Sequence, residues 1–497
     1  MRNWLCDKLT PVDADTSHAE MSRWVFLRLL GVVYLAAFVS LWSQIDGLIG
    51  SRGILPVSEF LDQWNANTDW LQAPSFCWLD PGDPMLHGLC AGGTMLSSLL
   101  ILGILPGLML GLLWMSYLSL TVAGQVFLGY QWDALLLETG LLAIFFAPWG
   151  FLPMPGRPDR SAAVIRWLLR WLLFRLMFAA GLVKLVSGDM SWRDLSALQV
   201  HYQTQPLPSW VSWYMHQLPG WFQSASVLFT FVVELGLPIL LFGPPRWRHA
   251  SCLGIAGFQL LILATGNFGF FNLLTIALCV AQLDDSVFPA ALRRWLTPQQ
   301  PPAGSGGDRP AWLVLIWCFA ATIVLLSLEP FLSNLGLDRH WPGWLREARR
   351  TVAAFRSVNQ YGMFAIMTTS RREIIVEGSA DGKTWLAYEF PYKPGDVRRP
   401  PAIVPLHMPR LDWQMWFAAL ETYESTPWFQ KFLAHLLQGT PEVLALLERN
   451  PFPDRPPLFI RALVYEYRFT SREERRQTGA WWQREYRGSY SPVLRQD

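Results

Sequence analysis

The sequence predicts a polytopic α-helical membrane protein that ends in a β-sandwich-like domain outside the membrane. Of its 497 residues, 52% are hydrophobic and only 16% are charged, whereas soluble domains carry about 25% charged residues. Apolar stretches of bilayer-spanning length recur up to residue 328, and beyond it apolar and polar residues alternate around turn signals. We therefore divide the chain into a cytoplasmic segment, 1–24, a transmembrane domain, 25–328, and a C-terminal domain, 329–497.

About nine transmembrane helices are predicted, because a span needs roughly 17 to 25 mostly apolar residues. Five stretches meet or approach that length by themselves: Val25–Ile45, Val164–Val186, Ala225–Phe242, Ala250–Thr265 and Ala311–Leu328. Gly88–Ala123 is about twice as long as one span. Pro106 at its centre breaks helical hydrogen bonding, so this stretch counts as two helices. Asp133–Trp149 and Phe270–Leu283 complete the set.

The lysines and arginines of the loops orient the helices, because cytoplasmic loops carry an excess of positive charge. With the N-terminus inside, the arginine-rich loops are all cytoplasmic: Gly150–Ala162, Gly243–His249 and Asp284–Pro310. The loops predicted outside, 46–87 and 187–224, are poor in these residues. An odd number of crossings then places the C-terminal domain outside the cytoplasm. That side is the periplasm if the membrane is a bacterial inner membrane, and the lumen if it is the endoplasmic reticulum.

The C-terminal domain combines strand and helix patterns. Residues 372–390 alternate around Asp381 and Gly382, which is typical of a β-hairpin. The inner face of this hairpin is predicted to carry Ile374, Val376, Trp385 and Tyr388. A second strand is predicted at 461–470. Between the strands lie three short amphipathic helices, at 412–424, 427–439 and 441–450.

Ionisable residues at membrane depth are the first candidates for functional residues, because a charge is costly there. Arg175 and Glu234 fall at similar depth on consecutive helices, so they are predicted to form a structural ion pair. Lys184, near the outer end of its helix, is predicted to border a polar pocket. The other candidate pocket residues are Glu138, Asp189, Trp192, Asp194, His201, Gln203 and Gln205. The alternative, that Lys184 extends to the headgroups and the loop only solvates it, stays open.

The loop 187–224 carries aromatic residues of the kind found where a bilayer meets water. These residues are Tyr202, Trp210, Trp213, Tyr214 and Trp221. Pro206 and Pro208 stiffen the loop. We expect the loop to lie on the bilayer surface, to cover the helix ends, and to bind an apolar ligand or a protein partner.

Composition also excludes some classes of function. The net charge is +2, and no long basic run precedes the C-terminal third, so nucleic acid is not an expected partner. The six cysteines form no CxxC motif and no Cys/His cluster, so no metal site is expected. Cys77 and Cys90 share one loop, and they either pair in an oxidising compartment or remain free thiols.

Several segments together resemble the lipase maturation factor family. They are "WDALLLETG" (Trp132–Gly140), Ala179–Pro219, "TGNFGFFNLL" (Thr265–Leu274), "EGSADGKTW" (Glu377–Trp385) and Asn450–Thr470. The resemblance implies a polytopic membrane protein that assists the folding of secreted homodimeric lipases, in animals within the endoplasmic reticulum. It implies membrane lipid and folding clients as partners, with no cofactor. The loop aromatic residues and the C-terminal domain are then the expected client-binding regions.

A more distant resemblance concerns chemistry. "AAGLVKL" (Ala179–Leu185), with Trp192 eight residues after the lysine, is similar to a segment of vitamin K-dependent γ-glutamyl carboxylases. There a lysine deprotonates the reduced vitamin, and that lysine corresponds to Lys184, although Val183 replaces the lysine that precedes it. This resemblance implies an alternative function, a carboxylase-like enzyme or quinone-binding oxidoreductase with Lys184 as its base and a reduced quinone as its cofactor. The maturation-factor hypothesis is preferred because its motifs cover nearly the whole chain.

Overall fold

The computed structural model describes residues 19–64, 70–153, 160–296, 310–334 and 342–496. Two predicted features fall largely or wholly outside these ranges. They are the cytoplasmic segment 1–24, described only from residue 19, and the stretch 297–309 of the predicted cytoplasmic loop Asp284–Pro310.

The membrane region is built almost entirely of helices. In chain order they are α1 (Glu20–Trp42), α2 (Ile45–Ile49), α3 (Val57–Trp64), α4 (Asp83–Leu102), α5 (Pro106–Ala123), α6 (Gln131–Phe146), α7 (Arg160–Val186), α8 (Met190–Arg193), α9 (Ala197–Thr204), α10 (Trp210–His216), α11 (Gly220–Leu240), α12 (Pro245–Thr265), α13 (Phe271–Val280), α14 (Ala290–Leu296) and α15 (Pro310–Ser333). The predicted division of the long apolar stretch at Pro106 is confirmed. Pro106 begins α5 three residues after Gly103, which ends α4 in the left-handed conformation.

Five of the described helices, α1, α4, α5, α11 and α15, are long and apolar enough to cross a membrane. Helices α6, α7, α12 and α13 coincide with the other predicted spans, but they are shorter or less apolar. The described chain therefore has a multi-helix membrane region, while the count of about nine crossings stays a prediction.

The loops between these helices gather at two opposite ends of the bundle. At one end, Gln44 after α1 donates to the carbonyl of Met408 over 3.0 Å, and Asn267 between α12 and α13 donates to that of Ala402 over 2.9 Å. The C-terminal domain therefore covers this end, which is the end predicted to be outside. At the other end, the N–H of Leu105 donates to the carbonyl of Phe151 over 2.9 Å.

Arginines stabilise that other end from within the protein. Arg166 donates to the carbonyls of Ala281 (2.9 Å) and Leu283 (2.7 Å), just beyond α13, and Arg248 pairs with Asp284 at 2.7 Å. Carbonyls at a helix C-terminus lack intrahelical donors, so a guanidinium there satisfies them. The arginine-rich end lies opposite the C-terminal domain, as the loop charges predict.

The C-terminal domain holds one antiparallel sheet and several helices. Its elements are α16 (Gly343–Ala353), β1 (Arg371–Ser379), β2 (Leu386–Ala387), α17 (Arg410–Ala418), α18 (Pro427–Gln438), α19 (Pro441–Leu444), β3 (Phe459–Phe469), α20 (Arg472–Thr478), β4 (Trp482–Ser489) and β5 (Leu494–Arg495). The strand order is β2-β1-β3-β4, and β5 also pairs with β3. The predicted hairpin is confirmed: Glu377 lies opposite Ala387, and Asp381 accepts hydrogen bonds from the backbone of its turn.

The second sheet of a sandwich is not confirmed among the described residues. Successive strand residues point to opposite faces, and Ile374 and Val376 are buried on the face that packs against α17 and α18. Ile375, on the opposite face, packs in a cluster with Tyr202 and Trp213 of the loop. That loop therefore covers the face that a second sheet would cover. Trp385, predicted to face inward, is half-buried, and the guanidinium of Arg461 lies 4.0 Å from its ring centroid.

Candidate functional site

A cavity of about 560 Å³ lies between helices α7, α11 and α12 and the loop segment 187–219. Apolar side chains form most of its wall, with phenylalanines at Phe222, Phe229, Phe258, Phe268, Phe271 and Phe364. Of the predicted pocket residues, Lys184, Trp192 and His201 line the cavity, and Tyr202 joins them from the same loop. The structure thus brings these predicted residues together beneath the loop.

Lys184 and Glu234 form a buried ion pair at the cavity wall. Nζ of Lys184 lies 2.9 and 2.8 Å from the two carboxylate oxygens and 3.1 Å from the carbonyl oxygen of Ala180. The same Nζ lies 5.3 Å from the ring centroid of Trp192, within cation–π range. Glu234 sits in a π-helical turn, Val232–Gly236, inside α11. Such turns often occur at functional sites.

The hydrogen bonds of Lys184 do not favour its use as a base. A lysine base needs a neutral amine with a free lone pair, whereas an ammonium has three donors and no acceptor. Here three acceptors surround Nζ, namely the two oxygens of Glu234 and one backbone carbonyl, and they match the three donors of an ammonium. The alternative in which Lys184 deprotonates a reduced quinone is therefore not favoured.

The loop contributes uncharged polar groups to the cavity. Burial lowers the pKa of His201 to about 4, and the nearby Lys184 ammonium acts in the same direction. Burial raises the pKa of Tyr202 to about 12. At neutral pH, His201 is therefore an uncharged imidazole and Tyr202 an uncharged phenol. The ring of His201 also packs edge-on against Phe364, with centroids 4.9 Å apart.

The predicted ion pair between Arg175 and Glu234 is wrong. Arg175 pairs with Glu138, and Glu234 pairs with Lys184. The reason is that Arg175 and Lys184 are nine positions apart on α7. At about 100° per residue, nine positions are two and a half turns of the helix, so the two side chains point in opposite directions. Arg175 and Lys184 therefore lie on opposite sides of α7, one facing α6 and the other facing α11. Depth in the membrane, on which the prediction rested, does not distinguish the two sides.

Glu138, predicted beside Lys184, instead joins the membrane helices to the C-terminal domain. Besides Arg175, its carboxylate accepts hydrogen bonds from the backbone N–H of Asn359 at 3.0 Å, from the side chain of Asn359 at 3.1 Å and from the hydroxyl of Tyr361 at 2.8 Å. A buried carboxylate with this many donors is fully satisfied. Glu138 therefore has a structural role.

Asp133, in the same sequence motif as Glu138, makes a second connection of this kind. Its carboxylate oxygens lie 2.6 and 2.8 Å from the guanidinium nitrogens of Arg410, at the start of α17, and both side chains are almost fully buried. Arg410 also donates to the carbonyl of Phe127 over 2.9 Å. No pairing partner for Asp133 could be predicted, because the partner lies almost 280 positions away in the chain.

The remaining predicted pocket residues lie outside the cavity and fix the loop in place. Burial acts to raise the pKa of Asp189, but hydrogen bonds from backbone N–H groups, including that of Met367, lower it overall. Asp194 accepts a hydrogen bond from a backbone N–H of its own turn over 3.0 Å. Gln203 accepts one from the backbone N–H of Phe469 over 3.1 Å. Gln205 is buried, and its amide donates to the carbonyl of the residue that ends α12 over 2.7 Å.

Arg371, which the sequence did not single out, attaches this loop to the sheet. It begins β1, is buried, and donates to the carbonyls of Gln203 and Pro206 over 2.8 Å each. Its other partner is Glu373, 2.6 Å away, which also contacts Lys393 at 3.0 Å. In the sequence, Arg371 is marked only weakly, as one of two consecutive arginines where a predicted strand begins.

The five loop aromatic residues separate into two groups. Tyr202 and Trp213 are buried against the sheet, and Nε1 of Trp213 lies 3.3 Å from the hydroxyl of Thr470. They are therefore not available to bind a client. Trp210 and Tyr214 are 44% and 45% exposed. Trp221 is also exposed, in the first turn of the membrane helix α11.

The exposed group extends into the C-terminal domain. The ring of Tyr214 lies 6.0 Å from that of Trp210 and 6.5 Å from that of Trp481. The guanidinium of Arg475 lies 3.4 Å from the ring centroid of Trp481 and 5.8 Å from that of Tyr214. We call Trp210, Tyr214, Arg475 and Trp481 the aromatic ridge.

Metal and disulfide chemistry find no support in the described part of the chain. No group of three or more His, Cys, Asp or Glu side chains within it is arranged to hold a metal ion. Cys77 and Cys90 are both buried free thiols. Of the two possibilities that the sequence left open, the structure contains the unpaired one.

Comparison with known proteins accounts for both regions of the chain. Residues 21–290 match the family model of the lipase maturation factor transmembrane domain, and residues 357–492 match that of the lipase maturation factor C-terminal domain. No solved structure matches the chain.

Vertebrate relatives align over almost the whole length. Lipase maturation factor 2 of Xenopus laevis is 36% identical over 95% of this chain and 82% of its own length. Lipase maturation factor 2 of Homo sapiens is 34% identical over 96% and 83%. Lipase maturation factor 1 of Mus musculus is 35% identical over 98% and 89%. Together with the apolar helices, these similarities identify a multi-pass membrane protein.

Proposed function

This chain belongs to the lipase maturation factor family, and from that premise we propose that it assists the folding and assembly of secreted client proteins, lipases among them. The proposal assigns client contact to the aromatic ridge. The membrane helices anchor the protein, and the C-terminal domain and the loop together present the ridge beside the bilayer. The names of the relatives state a maturation role for lipases, and that role is carried over here as a proposal.

The exposed ridge is the observation that carries this assignment. Tryptophan, tyrosine and arginine are enriched where proteins contact one another, because they combine a large apolar surface with hydrogen-bonding groups. Trp210 and Tyr214 are nearly half exposed, although the buried hydrophobic cluster that contains Trp213 lies next to them. A folding client exposes apolar surface only transiently. A partly solvent-exposed aromatic surface on this protein therefore suits a transient contact with it.

The C-terminal domain is proposed to face the non-cytoplasmic compartment. Support comes from the arginines at the opposite end of the bundle, since positive residues favour the cytoplasmic side. The contacts between the loop and the sheet support a shared side for both. Whether that compartment is the lumen of the endoplasmic reticulum or a periplasm depends on the source of the chain.

Secretion of an active lipase tests the proposal. Cells that lack their own lipase maturation factor would express the full chain together with a secreted homodimeric lipase, and lipase activity would be measured per amount of secreted lipase protein. We expect the wild-type chain to raise this ratio and the double variant Trp210→Ala/Tyr214→Ala to lose most of the gain at unchanged membrane abundance. Trp247→Ala, which removes an exposed tryptophan at the opposite end of the bundle, is the matched control. Equal activity of all three proteins would refute the assignment.

A further inference from the structure

We propose that the cavity beside Lys184 binds a neutral single-chain amphiphile that enters from the bilayer. This site is independent of client folding at the aromatic ridge. Four features of the cavity lead to this class of ligand: its opening, its wall, its charge and its unpaired polar groups.

The opening faces the lipid between helices α11 and α12. Phe229 of α11 and Leu261 of α12 both line the cavity, and both are about half exposed on the outer surface, at 48% and 57%. Nearer the other end of the bundle the two helices are held together, because Ser251 donates to the carbonyl of Leu237 over 2.6 Å. The cavity therefore reaches the outer surface between α11 and α12, in the half of these helices nearer the C-terminal domain.

The size and lining suit a hydrocarbon chain. A volume of about 560 Å³ lies within the range of roughly 300 to 1,000 Å³ that small-molecule sites occupy. Phenylalanine, leucine, isoleucine and methionine side chains, together with alanine, valine and tryptophan, form most of the wall. An acyl or prenyl chain would bury its apolar surface there as it does in the bilayer.

The charge of the wall favours a neutral head group. Lys184 and Glu234 neutralise each other, with both carboxylate oxygens within 3 Å of Nζ. A charged ligand would find no free counter-charge in this pair, and burial of an unpaired charge in an apolar site is strongly unfavourable. An anionic fatty acid and a cationic amphiphile are therefore both disfavoured.

The loop offers hydrogen bonds that the protein itself does not use. Within the described part of the chain, neither the ring nitrogens of His201 nor the hydroxyl of Tyr202 has a hydrogen-bond partner, and both residues line the cavity. Both are uncharged at neutral pH, and each offers a donor and an acceptor. A hydroxyl or ester head group would satisfy these groups while its chain extends towards the opening.

Photolabelling of the full-length protein in lipid nanodiscs tests this site. The probes are a monoacylglycerol with a diazirine in its chain and the corresponding diazirine fatty acid, which is anionic at neutral pH. We expect the monoacylglycerol to label peptides of α11 and α12 saturably, and an excess of unlabelled monoacylglycerol to compete. The fatty acid should label these peptides about ten-fold less, a difference of about 1.4 kcal/mol.

Two variants on one helix separate cavity binding from contact with bulk lipid. Ala225→Trp fills the cavity from its lining and should reduce labelling about ten-fold. Leu228→Trp adds a similar bulk on the exposed face of α11 and should not change it. If Ala225→Trp does not fold, Tyr202→Phe decides, since loss of one hydrogen bond should weaken binding by about five-fold. Equal labelling by both probes, or wild-type labelling of Ala225→Trp or Tyr202→Phe, would overturn the proposal.

Discussion

Replacing Arg410 with methionine would break the charged connection between the C-terminal domain and helix α6. Asp133 would lose guanidinium hydrogen bonds of 2.6 and 2.8 Å and keep the hydroxyl of Tyr117 as its partner. Removal of one member of a buried ion pair costs about 3–5 kcal/mol, because the other charge stays buried without compensation. We expect a loss of about 3 kcal/mol in the free energy of unfolding, at the lower end, because Tyr117 still donates.

The assay is denaturant unfolding of the detergent-solubilised protein, followed by a probe in the C-terminal domain. Arg487→Met serves as the control, since its ion pairs with Glu466 and Glu485 are partly exposed at the surface and such pairs contribute about 0–1 kcal/mol. The double variant Asp133→Asn/Arg410→Met removes both charges and should recover part of the loss. A change below about 1 kcal/mol for Arg410→Met, or a double variant less stable than the single one, would refute this reasoning.

Three further predictions concern the loop and the cavity. Lys184→Met should lower the free energy of unfolding by about 3 kcal/mol, and the double variant Lys184→Met/Glu234→Gln should recover part of this loss. If both variants instead lost function at wild-type stability, a catalytic lysine would be supported. Arg371→Met should make the segment 187–219 more sensitive to limited proteolysis, and an unchanged cleavage pattern would count against its anchoring role. The lowered pKa of His201 contributes stability that is present above pH 6.5 and is lost as pH falls through about 4. The melting temperature of His201→Phe should therefore fall less steeply than that of the wild-type protein over this pH range. Parallel curves for the two proteins would contradict this prediction.

The positions of the five long apolar helices could be predicted, because length and apolarity are properties of each stretch by itself. The division at Pro106 follows from proline chemistry, and the hairpin at Asp381 follows from local turn signals. These features depend on residues close together in the chain. They needed no knowledge of which helix lies beside which.

The partners of the buried charges could not be predicted, because they depend on rotation and on distant contacts. Arg175 and Lys184 were assigned by depth, although half a turn separates their directions on the helix. Glu138 was placed beside Lys184, whereas its donors come from a segment more than 200 positions later. A pattern of periodicity gives the buried face of a helix and not the identity of its neighbour.

The sheet illustrates the same limit. Residues on both faces of β1 are buried, which the sequence pattern alone attributes to a second sheet. In the structure Tyr202 and Trp213 of the loop cover that face. The loop was predicted to bind clients through these two residues as well, and their burial leaves Trp210 and Tyr214 as the residues of α10 exposed for that role.

Client contact at the aromatic ridge is tested most directly by site-specific crosslinking in intact cells. A photoreactive phenylalanine analogue would replace Tyr214 in the full chain, and a second protein would carry it in place of Trp247, during synthesis of a secreted homodimeric lipase. We expect irradiation to join the newly made lipase to the protein modified at position 214, and the yield to fall once the lipase is mature. Absence of this adduct, or an equal yield from position 247, would contradict the proposal that clients bind this ridge.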